Sequence, residues 1–295
     1  GSLLWIFLLP RFFTTVESAF VIGLFNLLVA LFTLMFFLRH VFRKKSLFAL
    51  AFFALVAVIY GGLSGREWTS HSEQKLFRDR IIFSETTRFQ HIVLTQSRSN
   101  DVSCYINGHL QFNSVDEHIY HEHLVHPAFA IAPAHKDILI LGGGDGLALR
   151  EVLKYPDVEK VTVCDIDPVM TTLAKENAMF QKMNGNSLAN SRVTVLENNV
   201  LKSAGKTTLT IENQKSPVRQ VFDDVAEINI INLDATAFVE QISGMYDIII
   251  IDFPDPNNQD LSKLYSNIFY QHIRKKLKVD GIFVQQSTSP VHAKD

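Results

Sequence analysis

Residues 138 to 153 read ILILGGGDGLALREVL. Four apolar residues run into three glycines, an aspartate and a fourth glycine, and a helical pattern follows. A buried strand that ends in a turn almost free of side chains limits the fold more than any other stretch of this chain. In an open parallel sheet, ligands sit outside the carboxyl ends of the strands. Gly142, Gly143 and Gly144 let the main chain turn sharply and come near a ligand that a Cβ would exclude. This is not a nicotinamide fingerprint, since Leu147 stands where G-x-G-x-x-G needs glycine. A P-loop fails as well, because no Gly-Lys-Ser/Thr follows. Asp145 is the informative residue, for a carboxylate in that turn repels phosphate and attracts a cation.

From residue 137 onward, strands and helices alternate. The pattern predicts strands at 138–141, 160–166, 228–233, 246–252 and 281–287, and helices near 146–154, 168–180, 235–242 and 264–276. Near-continuous Ile/Val strands between helices point to a parallel sheet covered on both faces. Residues 184–227 break the rhythm and read as an inserted hairpin or mobile loop. RVTVLE at 192–197 competes for the third-strand place, but 228–233 is preferred because Asp234-Ala235 follows it directly. Residues 80–115 alternate apolar and polar, with Asn107-Gly108 as a type I′ hairpin signal. A helix with an acidic first turn follows at 116–130.

Further acids fall where this sheet would end. CDID closes the second strand with Asp165 and Asp167. An acid about 20 residues after a glycine turn suits a ribose diol. Asp165 is the better candidate, while Asp167, before Pro168, suits a helix N-cap. Asp234 ends the third strand, where it could accept from an adenine amino group or serve as a plain N-cap. Asp252 and Asp255 lie in IIIIDFPDPNN after the fourth. With no compensating lysine evident, the set describes a negative pocket suited to a cationic ligand.

The N-terminal part is of another kind. Residues 18–38 and the run at 47–63 carry no charge, and RHVFRKKS joins them. A helix of about 20 residues rises roughly 30 Å, the thickness of a hydrocarbon core. Two transmembrane spans are therefore expected, with LLWIFLLP as the end of a third. The start GSLLWIF, lacking methionine, suggests a fragment or a cloning scar. The boundary falls near Gly65, giving membrane helices at 1–65, a small β unit with a linking helix at 66–130, and an α/β domain at 131–295. By the positive-inside rule the basic loop would be cytoplasmic and the domain outside. Arg66, Lys75, Arg78 and Arg80 after the second span weigh the other way, and a cytoplasmic domain on a multi-pass cell-membrane anchor is expected. A net charge of −2 gives no basic field for nucleic acid. Cys104 and Cys164 read as reduced thiols.

LILGGGDGLALREVLKYPDVEKVTVCDIDP, FQHIVL, INGHLQFNSVDEHIYHEHLVHPA and YDIIIIDFPDP resemble, in order, the blocks of the spermidine synthase (polyamine aminopropyltransferase) family. The membrane helices resemble its bacterial membrane-fused branch. The resemblance covers roughly residues 80–290 apart from the insertion. It implies a Rossmann-like, methyltransferase-type α/β sheet with a small N-terminal β-hairpin unit. The donor it implies is decarboxylated S-adenosylmethionine, with a diamine such as putrescine as acceptor and the lipid bilayer as partner; it leaves a homodimer open. By the same resemblance, Gln90 and Asp165 hold the donor's ribose and methionine-derived part, Asp234 meets adenine, and Asp145 and Asp252 bind the aminopropyl ammonium. Tyr120, with Asp252 and Asp255, orients the acceptor amine, Asp252 takes its proton, and His121 touches ligand.

Some features depart from the family pattern. Asp165 replaces a glutamate, GIFVQQSTS lacks an acid that many members have, and the chain stops before the last strands of such a fold. HIYHEHLVH fails the H-E-x-x-H metal pattern because Val125 stands at the second histidine, so no metal is expected. A membrane-tethered S-adenosylmethionine-dependent methyltransferase and a non-catalytic polyamine-binding module are the alternatives. The methyltransferase leaves the hairpin and DEHIYHE unexplained, and the binding module needs no base at Asp252.

Overall fold

The computed structural model describes residues 13, 15–37, 44–189, 193–196, 226–255 and 259–287, and the chain divides into two compact units, Gly1–Arg80 and Ile81–Asp295. In the first unit, helices α1 (Thr15–Phe36) and α2 (Lys44–Gln74) form a hairpin. Small residues let their backbones close on each other: a Cβ on Gly61 would stand 2.2 Å from the Phe20 ring. Val16–Phe36 and Lys45–Gly65 are long and apolar enough to cross a membrane. Phe25, Phe32, Phe36, Phe53 and Leu63 on them are exposed. Gly65 ends the apolar segment but not the helix, which continues to Gln74 because nothing in residues 66–74 breaks it. The third span expected at the start lies outside the described residues.

The second unit opens with four antiparallel strands in sequential order: β1 (Arg80–Thr86), β2 (His91–Gln96), β3 (Val102–Ile106) and β4 (His109–Asn113). Asn107 and Gly108 have φ values of 52° and 83°, and Ile106 faces His109, as a two-residue primed turn requires. Helix α3 (Glu117–Ile131) leads into the larger sheet. There follow β5 (Asp137–Gly142), α4 (Leu147–Val152), β6 (Lys160–Asp165), α5 (Pro168–Glu176), α6 (Ala178–Met183), β7 (Val193–Leu196), β8 (Glu227–Asn232) and α7 (Ala235–Gln241). The described chain ends with β9 (Tyr246–Asp252), α8 (Gln259–Ser262), a 3-10 turn, α9 (Asn267–Lys276) and β10 (Leu277–Gln285). The order is β10-β9-β5-β6-β8-β7, and every pairing is parallel.

Successive strand residues point to opposite faces, and each face buries its own core. Ile138, Ile140, Val161, Val163, Ile248 and Ile250 pack on one side. Leu139, Leu141, Cys164, Ile249 and Ile251 pack on the other. Cys104 and Cys164 are free and buried.

Four expectations need correction. The helix expected over 168–180 is two helices, because Asn177 ends α5 in an extended conformation and caps α6 through its side chain. The two candidates for the third strand are both strands. The later one runs beside β6 as preferred, and Val193–Leu196 adds an edge strand within the stretch taken as an insertion; residues 197–225 of that stretch lie outside the described residues. Strand β10 begins at Leu277 rather than 281. Its register then breaks before Ile282, where Asp280 adopts φ 63°. Helix α9 starts only after the Ser266 hydroxyl caps Phe269 N–H, so residues 263–265 form the 3-10 turn.

Gly142 is the tightest point of the sheet. Its φ is +82°, and a Cβ there would lie 2.1 Å from the Asp252 carbonyl oxygen. Gly142→Ala is expected to cost at least the 1–3 kcal/mol or so of a left-handed non-glycine residue. Denaturant unfolding of the variant against the native chain measures this, and equal midpoints would contradict it.

Candidate active site

Strand β5 lies between β6 and β9, so the connections depart from it in opposite directions and open a crevice beyond its carboxyl end. A cavity of about 850 Å³ occupies that crevice. Gln90, Tyr120, His121, Gly142, Gly143, Gly144, Asp145, Asp165, Asp234, Asp252 and Asp255 all line it. The structure thus brings every candidate named from the sequence into one enclosure.

The glycines serve the acids as much as a ligand. Gly142 sits opposite Asp252 in register. A Cβ on Gly144 would lie 2.6 Å from Asp165 Oδ2, and the Gly144 N–H donates to that oxygen at 3.0 Å. Asp165 Oδ1 accepts from Asp167 N–H at 2.8 Å. Asp167 caps α5 through Val169 N–H at 3.0 Å and accepts from the Thr87 hydroxyl at 2.9 Å. The two acids of CDID are therefore divided as expected, one toward the cavity and one toward the helix. Asp145 accepts from Leu147 N–H at 2.9 Å, while Asn184 holds its carbonyl at 3.0 Å.

From α3, the Tyr120 hydroxyl donates to Asp252 Oδ1 at 2.5 Å, and the His121 ring stands edge-on to Tyr120 with centroids 4.8 Å apart. Asp255 is steadied by Gln286, whose amide donates to its Oδ1 at 3.2 Å and to the Phe253 carbonyl at 2.7 Å. Tyr265 donates to the Pro254 carbonyl at 2.9 Å, which pins the same loop.

Electrostatics divides the acids. Burial pushes Asp145 up to about 6; the Asp252 charge adds to this, while the His121 charge and the Leu147 N–H oppose it. Burial likewise raises Asp165 to about 6 against two backbone N–H donors. Desolvation of its hydroxyl, then the Asp252 charge, raises the Tyr120 phenol, although the residue as a whole is 40 % exposed. Such a cavity favours a ligand that brings positive charge.

Asp234 requires a correction. No lysine was expected nearby, yet Lys263 Nζ lies 2.8 Å from its Oδ2, and its Oδ1 caps α7 at Thr236 and Ala237 N–H. Burial would raise this carboxyl, but Lys263 and the cap hold it below the usual range. Lys263 was not anticipated because it lies in no motif, and Gln286 because GIFVQQSTS was read only for the acid it lacks. Outside the cavity, Glu122, His126 and Glu151 place ligand atoms within 4.8 Å of one another. Lys154 and Arg150 already pair with Glu151, which supplies cationic charge where a metal would sit.

A doubly wound α/β domain with an acidic crevice at its switch point is one class of protein. Within that class, the spermine/spermidine synthase domain matches residues 117–210 and 206–295, and the chain belongs to that family. It is 39 % identical to a polyamine aminopropyltransferase of Oceanobacillus iheyensis, covering 100 % of this chain and 51 % of that protein. A polyamine aminopropyltransferase of Leptospira interrogans is 35 % identical, with 100 % and 53 % covered. The chain thus spans about half the length of these curated relatives. Its fold matches spermidine synthase in complex with the transition-state analogue AdoDATO at TM-score 0.56 and 26 % identity, covering 73 % of this chain and 60 % of that one. Spermidine synthase from Thermotoga maritima matches at 0.55, again with 26 % identity, 73 % of this chain and 60 % of that one.

The raised carboxyls have a measurable cost. With Asp145 and Asp165 near 6 when folded and near 3.8 when unfolded, the folded chain binds more protons between those values. Their contribution to stability therefore falls as the pH rises through that window. Asp145→Asn removes one carboxyl and keeps an oxygen for Leu147 N–H. Thermal unfolding without ligand should show this variant gaining a few degrees on the native chain from pH 4 to pH 7. Parallel curves would contradict the raised value.

Proposed function

We propose that the Ile81–Asp295 unit transfers the aminopropyl group of decarboxylated S-adenosylmethionine to a diamine such as putrescine, giving spermidine and methylthioadenosine. The observation that carries this reading is the gathering of Asp145, Asp165, Asp252 and Asp255 around one cavity at the carboxyl ends of three neighbouring strands. The acceptor nitrogen attacks the carbon beside the sulfonium. A nitrogen–carbon bond forms, the carbon–sulfur bond breaks, and the sulfur keeps the electron pair.

An alkylammonium has a pKa near 10 and cannot attack until it loses a proton. Asp252 is the proposed acceptor of that proton, oriented by the Tyr120 hydroxyl on its Oδ1. Asp255 holds the acceptor amine beside it, with His121 in contact with ligand. Gln90 and Asp165 take the donor's ribose and methionine-derived part. Asp145 takes the aminopropyl ammonium, and the carboxylate of ordinary S-adenosylmethionine would meet Asp145 and be repelled. Asp234 would meet the adenine as an acceptor already shared with Lys263. Alignment of nitrogen, carbon and sulfur supplies most of the remaining acceleration. Helices α1 and α2 are proposed to anchor the chain in the cell membrane as multi-pass spans, with the catalytic unit on the cytoplasmic side.

Asp252→Asn is expected to lower turnover by about 10²–10⁴-fold, while binding of the decarboxylated donor stays within several-fold. Product chromatography with putrescine, beside calorimetry with the donor and with S-adenosylmethionine, measures both. Unaltered turnover would remove Asp252 from its role, and equal use of S-adenosylmethionine as a methyl donor would replace the reaction itself.

A further inference from the structure

Arg150 is a charged residue on a helix otherwise packed into the core, with Leu147, Ala148, Leu149, Glu151 and Val152 all buried beside it on α4. It does not line the cavity. Its guanidinium instead grips Glu117 with two prongs, Nη1 to Oε1 at 2.7 Å and Nη2 to Oε2 at 3.0 Å. It also donates to the Met183 carbonyl at 2.5 Å. The next residue, Asn184, is the one that holds the Asp145 carbonyl.

Glu117 is 7 % exposed, so its charge needs a partner. Burial alone would raise it; the hydrogen bonds of His121 and Arg150 bring it down to about 2. Glu117 Oε2 lies 2.9 Å from His121 Nδ1, and the Glu117 carbonyl oxygen lies 2.8 Å from the same nitrogen. Both are acceptors, so Nδ1 carries a hydrogen in either charge state of the ring. His121 is 2 % exposed and lines the cavity. Nε2 is then the nitrogen at which the ring can exchange a proton.

We propose that Arg150 is a positioning residue whose fork holds Glu117 against His121, fixing the hydrogen on Nδ1 and leaving Nε2 to serve the acidic cavity. For its effect on turnover this inference rests on the proposed aminopropyl transfer; its geometry stands without it. The groups that face His121 are Glu117 and Tyr120 of α3, Arg150 of α4 through Glu117, Asp145 after β5 and Asp252 of β9. Burial opposes the charged ring, and the Glu117 hydrogen bond with the Asp145 and Asp252 charges outweighs it. Lysine cannot replace Arg150, because a point charge cannot hold two carboxylate oxygens in a fixed plane.

The test is a double-mutant cycle in the full chain with Arg150→Lys, His121→Asn and the pair. Arg150→Lys is expected to lower kcat/KM for the decarboxylated donor at least tenfold in the native background and less than twofold beside His121→Asn. Equal losses in both backgrounds would mean that Arg150 serves folding alone and would overturn the proposal, as would native rates for Arg150→Lys. A second readout needs no turnover: imidazole NMR of His121, assigned by its absence from His121→Asn. The ring's titration midpoint should fall toward the ordinary histidine value in both Glu117→Gln and Arg150→Lys. An unmoved midpoint in Arg150→Lys sinks the positioning role. Should the native chain form no aminopropyl product while the midpoints move as expected, the proposed function falls and the positioning role survives.

Discussion

The contact between Gly142 and Asp252 sets the terms for the rest of the second unit. Strands β5 and β9 are neighbours in register, and the main chain of one turns within the space a Cβ would need beside the other. A glycine is therefore required before any ligand is considered. Gly144 repeats the arrangement one strand over, against Asp165. The same turn that clears space for a ligand thus brings carboxylates from three strand ends close together. Burial in that crevice raises Asp145 and Asp165, and the neighbouring carboxylates add to it. Packing and site electrostatics are here one constraint, since a looser loop would relieve the acids and also disperse them.

The smaller elements complete what the sheet begins. Helix α3 brings Tyr120 to Asp252 and His121 to the cavity wall, and it is tied to α4 by the Arg150–Glu117 fork. Because α4 follows directly on the glycine loop, the fork couples the donor of the Tyr120 hydrogen bond to the loop that carries Asp145. The four-stranded sheet adds the loop with Gln90, and Thr87 in that loop reaches Asp167 at the base of α5. Each acid is held by an element other than its own strand, which keeps like charges from turning apart.

Much of this was legible because strand ends announce themselves. An apolar run followed by Gly or Asp marks both the end of a buried strand and the atoms facing the crevice, so residues 138–145, 160–167 and 246–255 gave strand, boundary and candidate acid together. The candidates converge because a parallel sheet collects all its carboxyl ends on one side. Harder to read were features that depend on a partner remote in sequence. Lys263 neutralises Asp234 across 29 positions, and no spacing rule links a 3-10 turn to a strand end. Val193–Leu196 competes with Glu227–Asn232 for a single place, because nothing local in either run says that both join the sheet, one as the edge strand beside the other. Asn177 splits a helix because its side chain caps better than it propagates. Arg150 and Glu151 stand as two adjacent charges on an otherwise apolar short helix, but nothing in the spacing points to Glu117 as the partner of Arg150.

The pairing of Asp234 with Lys263 gives the cavity a direction. At that end the carboxylate is balanced by an ammonium and by two backbone N–H groups. At the other end Asp145, Asp252 and Asp255 line the wall beside His121, with no lysine paired to them among the described residues. A ligand that is neutral along one half and cationic along the other matches that gradient, and reversing it would place positive charge beside Lys263. Under the proposed reaction, the nucleoside therefore lies toward Asp234 and the sulfonium and ammonium toward Asp145. A uniformly acidic cavity would hold a dication in either sense, whereas one balanced acid fixes the orientation in which the acceptor amine can reach the carbon beside sulfur.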